Sequence, residues 1–290
     1  MLLSMKTIYL TDDDEDDRMF LRYAIEKAVR NVCVVELDSG DKLINLMSSE
    51  SLSEDASVII IDMNMPRMNG LETLRALMTN QALRHIPVVM LSTSADSKLI
   101  RHAYQAGVNA FLEKPITESD FMRMAQAIDV CFLNTSRPAA LSNSKAENYP
   151  GSVIVIEDNE DHLFFIRRAL NDNMSEVHVV ELPGSCKAVQ ELRTRWDDMI
   201  PAPKLILIDL YLPDRQTGLD TLVGVHQVLA ERNARSVPVI VFTFSDRTED
   251  MKASYAHNAS GYLTKDADAL NWKNDLKNLE NFWWDTVSHS

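Results

Sequence analysis

Positive charge is in short supply in this chain. Lys and Arg number 29 against 43 Asp and Glu, a formal net charge of −14. Binding nucleic-acid phosphates needs clustered Lys and Arg. No basic stripe occurs, so a nucleic-acid partner is not expected. Cysteine is scarce as well. Cys33, Cys131 and Cys186 are odd in number, and no two stand at metal-ligand spacing, so they read as reduced, mostly buried thiols. No apolar run is long enough to span a bilayer. The first residues, MLLSMKTIYL, lack the basic flank of a signal peptide. A glycine-rich nucleotide loop and a kinase-type histidine box are also missing. The expectation is a soluble cytoplasmic protein with no membrane contact.

What is present is a repeat. The segment IYLTDDDEDDRMFLRYAIEKA is echoed by VIVIEDNEDHLFFIRRALN, and VIIIDMNMPRMNG by LILIDLYLPDRQTG. IPVVMLSTSADS is echoed by VPVIVFTFSDRT, and AFLEKP by GYLTKD. The echoes keep their order, with offsets of 145 to 151 positions. That period is too long for a solenoid and means two copies of one domain. A length of 290 residues agrees with about two domains. The stretch NTSRPAALSNSKAENYPGS lacks apolar periodicity and reads as a linker. The expected divisions are domain 1 over 1–133, linker 134–151 and domain 2 over 152–290.

Each copy alternates short apolar strands with amphipathic helices. In the first, strands are expected near Ile8–Thr11, Cys33–Leu37, Val58–Ile61, Pro87–Leu91 and Ala110–Leu112. In the second they are expected near Val153–Ile156, Val177–Glu181, Leu205–Ile208, Val239–Phe242 and Gly261–Leu263. Continuous β-branched runs fit parallel strands buried on both faces. Leu21, Ala24, Ile25 and Ala28 follow helical spacing, as do Phe121, Met124, Ala125, Ile128 and Phe132. The stripe Trp272, Leu276, Leu279, Trp283 and Val287 reads as core packing of a last helix. The expected fold class is α/β. It consists of two flavodoxin-like (βα)5 doubly wound domains with parallel sheets of strand order 2-1-3-4-5.

In such a sheet the reactive crevice lies beyond the carboxyl ends of the strands. Asp12 and Asp13 follow the first strand, Asp62 the third, Ser92 the fourth and Lys114 the fifth. The second copy delivers Glu157 and Asp158, then Asp209, Thr243 and Lys265. Three carboxylates that close repel one another unless a positive charge sits among them. A hard divalent cation with oxygen ligands resolves the repulsion, and Mg²⁺ is the expected one. A carboxylate beside a cation and a lysine can act as a nucleophile toward a phosphoryl group.

Both halves resemble the receiver domain of two-component response regulators, the family of the chemotaxis response regulator. The resemblance covers nearly all of the chain apart from the linker and termini. It implies that Asp62 and Asp209 accept the phosphoryl group. It makes Asp13 and Asp158 direct Mg²⁺ ligands, with Asp12 and Glu157 assisting through water. The backbone carbonyls of Asn64 and Tyr211 would complete the protein's share of the metal shell. Ser92 and Thr243 become switch hydroxyls, and Lys114 and Lys265 bind the phosphoryl group. Phe111 and Tyr262 take the aromatic switch position. The strings DDDEDD, EDNEDH and NFWWDTV look like the small regulators that partner phytochrome-type histidine kinases. The resemblance further implies a sensor histidine kinase or His-containing phosphotransfer protein as partner. It implies homodimerisation, or pseudo-symmetric packing of the two copies, through receiver faces near Phe282, Trp283 and Trp284, and a cis bond at Lys114–Pro115. Departures are Ser92 where Thr is commoner, and Lys265-Asp266 where Lys-Pro is commoner.

Other functions fit less well. An aspartyl phosphatase of the haloacid dehalogenase type wants a second Asp two residues after its nucleophile, where this chain has Asn64 and Tyr211. A flavin-binding domain wants a Ser/Thr/Gly-rich loop where Asp12 and Glu157 stand. A pseudo-receiver that takes no phosphate is disfavoured by complete sites in both copies. The expectation is therefore a signalling protein, not an enzyme beyond its own phosphoryl acceptance and autodephosphorylation. With no recognisable DNA-binding or other output module, its readout would be a protein–protein contact or onward phosphorelay. His162 reads as a surface residue.

Overall fold

The computed structural model describes residues 5–48, 56–94, 96–133, 151–173, 177–184 and 187–285, without the side chains of 280–285. The linker apart from Gly151, Cys186, Val287 and the side chains of Phe282, Trp283 and Trp284 lie outside the described residues. The chain forms two compact units, one holding the first five strands and the other the last five.

In the first unit the order is β1 (Lys6–Thr11), α1 (Glu15–Ala28), β2 (Val32–Leu37), α2 (Gly40–Met47), β3 (Ala56–Asp62), α3 (Gly70–Thr79), β4 (Val88–Ser92), α4 (Ser97–Ala106), β5 (Ala110–Glu113) and α5 (Glu118–Ile128). The second unit repeats it with β6 (Gly151–Glu157), α6 (Glu160–Asn173), β7 (Val177–Pro183), α7 (Lys187–Arg195), β8 (Pro203–Ile208), α8 (Arg215–Glu231), β9 (Val239–Thr243), α9 (Thr248–Ala256), β10 (Gly261–Thr264) and α10 (Trp272–Asp285). All pairings are parallel, in the orders β2-β1-β3-β4-β5 and β7-β6-β8-β9-β10. This is the doubly wound order read from the repeat. Even a register irregularity recurs, between Thr7 and Ile8 in one sheet and between Ser152 and Val153 in the other.

The strands are buried on both faces because helices cover both sides of the sheet. Tyr9, Ile59, Ile61, Met90 and Phe111 pack with Leu43, Leu74, Leu77 and Ile100 from α2, α3 and α4. Alternate residues such as Ile8, Leu10 and Ile60 point to the opposite face and are equally buried. The helical stripes behave as their spacing predicts. Leu21, Ala24 and Ile25 of α1 are buried, as are Phe121, Met124, Ala125 and Ile128 of α5. Trp272, Leu276 and Leu279 form the buried face of α10. Lys114–Pro115 corrects the expectation of a cis bond, since it is trans, the lower-energy isomer of an X-Pro bond. The cis bonds among the described residues are Ile200–Pro201 and Leu212–Pro213.

Two glycines hold the third helix of each unit against the loop that carries the central carboxylate. A Cβ on Gly70 would stand 2.5 Å from Asp62 O and 2.8 Å from Met63 Cα. On Gly218 it would stand 1.7 Å from Leu210 O. Both obstacles are backbone, so neither can swing aside. Replacing a helical glycine by alanine ordinarily stabilises by up to ~1 kcal/mol. Here overpacking reverses the sign, and Gly70→Ala is expected to cost about 1–3 kcal/mol. Urea unfolding followed by circular dichroism checks this, and a midpoint at or above wild type would contradict it.

Candidate phosphoryl and cation sites

The sites are assembled where the strands end. In the first unit β1 and β3 run side by side, with Leu10 opposite Ile60 and Thr11 opposite Ile61. Asp12 and Asp62 are the next residues along these strands, so both carboxylates are delivered to one edge. Asp12 and Asp62 are buried, while Asp13 is exposed. Oxygens of Asp12, Asp13 and Asp62 lie within 4.8 Å of one another. Lys114, just past β5, reaches into this cluster. Its Nζ is 2.8 Å from Asp12 Oδ2, 3.0 Å from Asp62 Oδ1 and 2.6 Å from Asp17 Oδ2. The other Asp62 oxygen accepts from Asn64 N at 2.6 Å.

Electrostatics follow from this crowding. Burial raises the Asp12 carboxyl above the ordinary carboxylate range, and the Asp62 charge adds to the rise against bonds from Lys114 and Asp14 N. Burial by itself depresses the Lys114 ammonium, but its bonds to Asp12, Asp17 and Asp62 override that and the net shift is upward. Lys114 therefore stays charged. The acidic run divides its labour. Asp14 caps α1 by accepting from Asp16 N and Asp17 N. Asp17, one turn into the helix, pairs with Lys114, a contact that the sequence reading did not single out.

The second site is more enclosed. Lys265 Nζ lies 2.6 Å from Glu157 Oε2 and 2.6 Å from Asp209 Oδ2, and its side chain is 0% exposed. Phe242, Phe244 and Trp272 surround the ammonium, with ring centroids at 5.6, 5.5 and 5.7 Å. Asp209 Oδ1 accepts from Tyr211 N at 3.2 Å. Asp158 is exposed. The ligand-bearing group assembled here is Glu157, His162 and Asp209, with donor atoms within 4.8 Å of one another. His162 is thus no bystander on the surface. Its Nδ1 lies 3.2 Å from Glu157 Oε1. It reads as a surface residue in the sequence because a lone histidine carries no pattern. The usable signal was that it repeats the position of Asp17, four residues after the second acid of each copy.

The hydroxyls and aromatic rings also have distinct settings. Ser92 is buried, and its Oγ accepts from Ser94 N at 3.1 Å. Thr243 is buried, with an Oγ1 that has no hydrogen-bond partner. Phe111 and Tyr262 are both fully buried. Tyr262 Oη donates to Ser245 O at 2.9 Å, and burial pushes its pKa up. A network confined to the second unit centres on buried Asp250. Tyr211 Oη donates to its Oδ2 at 2.9 Å and Ser245 Oγ at 2.5 Å, while Arg215 Nε pairs with Oδ1. Burial opposes ionisation of Asp250, but bonds from Ser245, Arg215 and Tyr211 outweigh it and hold the carboxyl below its ordinary range. The matched residue in the first unit is Leu99, which cannot anchor such a network.

A divalent cation suits this donor chemistry. Oxygens bound to one Mg²⁺ at about 2.1 Å stand at most about 4.2 Å apart. In each cluster the ligand atoms lie within 4.8 Å of one another, so they would have to draw closer around a bound ion.

Comparison with known proteins finds relatives over parts of the chain. Relatives include the sensory/regulatory protein RpfC of Xanthomonas campestris, 30% identical over 194 residues, or 63% of this chain. The match spans only 26% of the length of that protein. The response regulator Rcp1 of Synechocystis is 27% identical over 50% of this chain and 97% of its own. A solved structure of the phosphorylated cyanobacterial phytochrome response regulator RcpA shares 27% identity, covering 46% of this chain and 96% of its own with a TM-score of 0.42. Among the described residues, no helix is long and apolar enough to cross a membrane. The response regulator receiver domain model matches residues 8–126 and 153–276, and the chain therefore belongs to the response regulators of two-component signalling, with two receiver domains in tandem.

Proposed function

We propose that each domain accepts a phosphoryl group, on Asp62 and on Asp209, from a phosphohistidine of a sensor kinase or phosphotransfer protein. The observation that carries this is the convergence of a buried carboxylate, a lysine and further acids at the same strand ends in both units. One carboxylate oxygen of Asp62 or Asp209 attacks phosphorus in line, the P–N bond to the donor imidazole breaks, and an acyl phosphate forms. Lys114 and Lys265 neutralise the phosphoryl oxygens. Ser92 and Thr243 donate to one of them. The partnerless Thr243 Oγ1 supports this, because an unsatisfied buried hydroxyl costs roughly 1–3 kcal/mol and a phosphoryl oxygen would relieve it.

Asp12, Asp13, Asp62 and the Asn64 carbonyl in one domain, and Glu157, Asp158, Asp209 and the Tyr211 carbonyl in the other, would hold Mg²⁺, which would supply charge stabilisation to the transfer. Output then runs through phosphorylation-dependent protein contacts, including homodimerisation through receiver faces, or through onward relay in the cytoplasm. No DNA-binding output is part of this reading. Hydrolysis of an external phosphoester is not part of it either, since Asn64 and Tyr211 offer no second acid.

Labelling with acetyl phosphate and Mg²⁺ tests the assignment. Wild type is expected to carry label at both aspartates, each of Asp62→Asn and Asp209→Asn at one, and the double variant at none. Chelation with EDTA should abolish all labelling. Mass spectrometry that locates the label elsewhere in wild type overturns the proposal.

The two acyl phosphates should also differ in lifetime. Water must approach in line, past the residue two after the acceptor. That residue is exposed Asn64 in one domain, whose amide can orient water. In the other it is Tyr211, whose ring is tethered through its hydroxyl to Asp250. Slower decay is expected at Asp209, measured in the two single-acceptor variants after removal of phosphodonor. Tyr211→Asn should shorten the lifetime, and Tyr211→Phe, which keeps the ring but loses the bond to Asp250, should shorten it less. Equal decay at the two sites would defeat the idea.

A further inference from the structure

The two sites differ in donor chemistry at one matched position. In the first domain α1 contributes Asp17, whose carboxylate pairs with Lys114. In the second, α6 contributes His162. Its backbone is fixed at the helix start, where Asn159 Oδ1 accepts from His162 N at 3.1 Å and from Asp161 N at 2.9 Å. Its ring is held by Phe244 and Trp272, with centroids at 5.3 and 5.6 Å. The result is an imidazole with Nδ1 directed at a buried carboxylate.

The oxygens of that carboxylate are divided. Glu157 Oε2 faces Lys265, while Oε1 faces His162 at 3.2 Å. Asp209 likewise gives Oδ2 to Lys265 and keeps Oδ1 on the side of Tyr211 N. A cation bound on the His162 side therefore leaves the Lys265–Glu157 pair intact. Imidazole nitrogen is a good ligand for borderline ions such as Co²⁺ and Zn²⁺, is accepted by the harder Mn²⁺, and is a poor ligand for Mg²⁺, which prefers oxygen. Among the described residues, the first site assembles carboxylates only.

We propose that the second receiver domain holds a mixed nitrogen–oxygen site, with His162 Nδ1, Glu157 and Asp209 as direct ligands, that selects a borderline divalent transition ion over Mg²⁺. The first domain keeps an oxygen-only site without that preference. The inference rests on reading the acceptor aspartates as cation ligands. It gives the two domains different metal dependences within one chain.

The test uses the full chain with Asp12→Asn, Asp13→Asn and Asp62→Asn, so that the second site is read alone. Calorimetric titration with Mg²⁺, Mn²⁺ and Co²⁺ gives selectivity, and electron spin-echo modulation of bound Mn²⁺ reads nitrogen ligation directly. The expected result is an imidazole nitrogen modulation. His162→Gln should abolish it and weaken Co²⁺ binding roughly 10–100-fold while changing Mg²⁺ by less than about twofold. His162→Asp, which copies the first domain, should restore oxygen-type selectivity. Absence of the modulation, or equal loss of Co²⁺ and Mg²⁺ affinity in His162→Gln, overturns the proposal. The modulation experiment on unaltered His162 decides the matter even where a His162 variant fails to fold. Asp209→Asn separates the two levels. Retained cation binding there defeats the underlying reading of the acceptor site, whereas lost binding with unchanged selectivity in His162→Gln defeats only the role of His162.

Discussion

Each domain is organised around one lysine ammonium set among buried carboxylates at the end of a parallel sheet. Removing one partner from such a buried pair costs about 3–5 kcal/mol, because the charge left behind has neither water nor counterion. That constraint reaches back into the fold. Strand register must deliver Asp12 beside Asp62, and β5 must end where Lys114 can reach both. The third helix must approach so closely that only glycine fits, at Gly70 and at Gly218.

The duplication has kept this frame and varied its surroundings. In the first domain Lys114 is partly accessible and bound to Asp12, Asp17 and Asp62. In the second Lys265 is sealed among aromatic rings, and the loop after β9 is tied down by Asp250 to Tyr211 and to Arg215. Ser245, from that loop, joins the same carboxylate and also accepts from Tyr262 through its carbonyl. Rearrangement of the second site would thus disturb several bonds at once, whereas in the first, among the described residues, the Ser92 side chain bonds only the neighbouring Ser94 N.

Much of this was legible in the sequence, for identifiable reasons. Short, β-branched runs such as VIIID and LILID fit strands covered on both sides, and their terminal Asp residues then fall at one edge of the sheet. Repetition made the lysines and hydroxyls readable, since Lys114 and Lys265 taken singly are ordinary surface candidates. The side-chain contacts that depend on helix phase were not legible. Asp17 and His162 reach their sites only because α1 and α6 begin where Asp14 and Asn159 cap them, and a shift of one residue would turn both away. The enclosure of Lys265 by Phe242, Phe244 and Trp272 joins residues from β9, the loop after it and α10, a juxtaposition that no local pattern encodes.

That enclosure also gives the chain an intrinsic optical asymmetry. All four tryptophans lie at position 196 or beyond, and the first receiver domain has none. Trp272 is buried, donates from Nε1 to Asp266 O at 2.9 Å and sits 5.7 Å from the Lys265 ammonium. An indole's emission responds to a nearby fixed charge, so any displacement of that ammonium, such as the proposed phosphoryl group would cause, changes the field on the ring. Tryptophan fluorescence therefore offers a readout of events in the second domain, through a chromophore the molecule already contains.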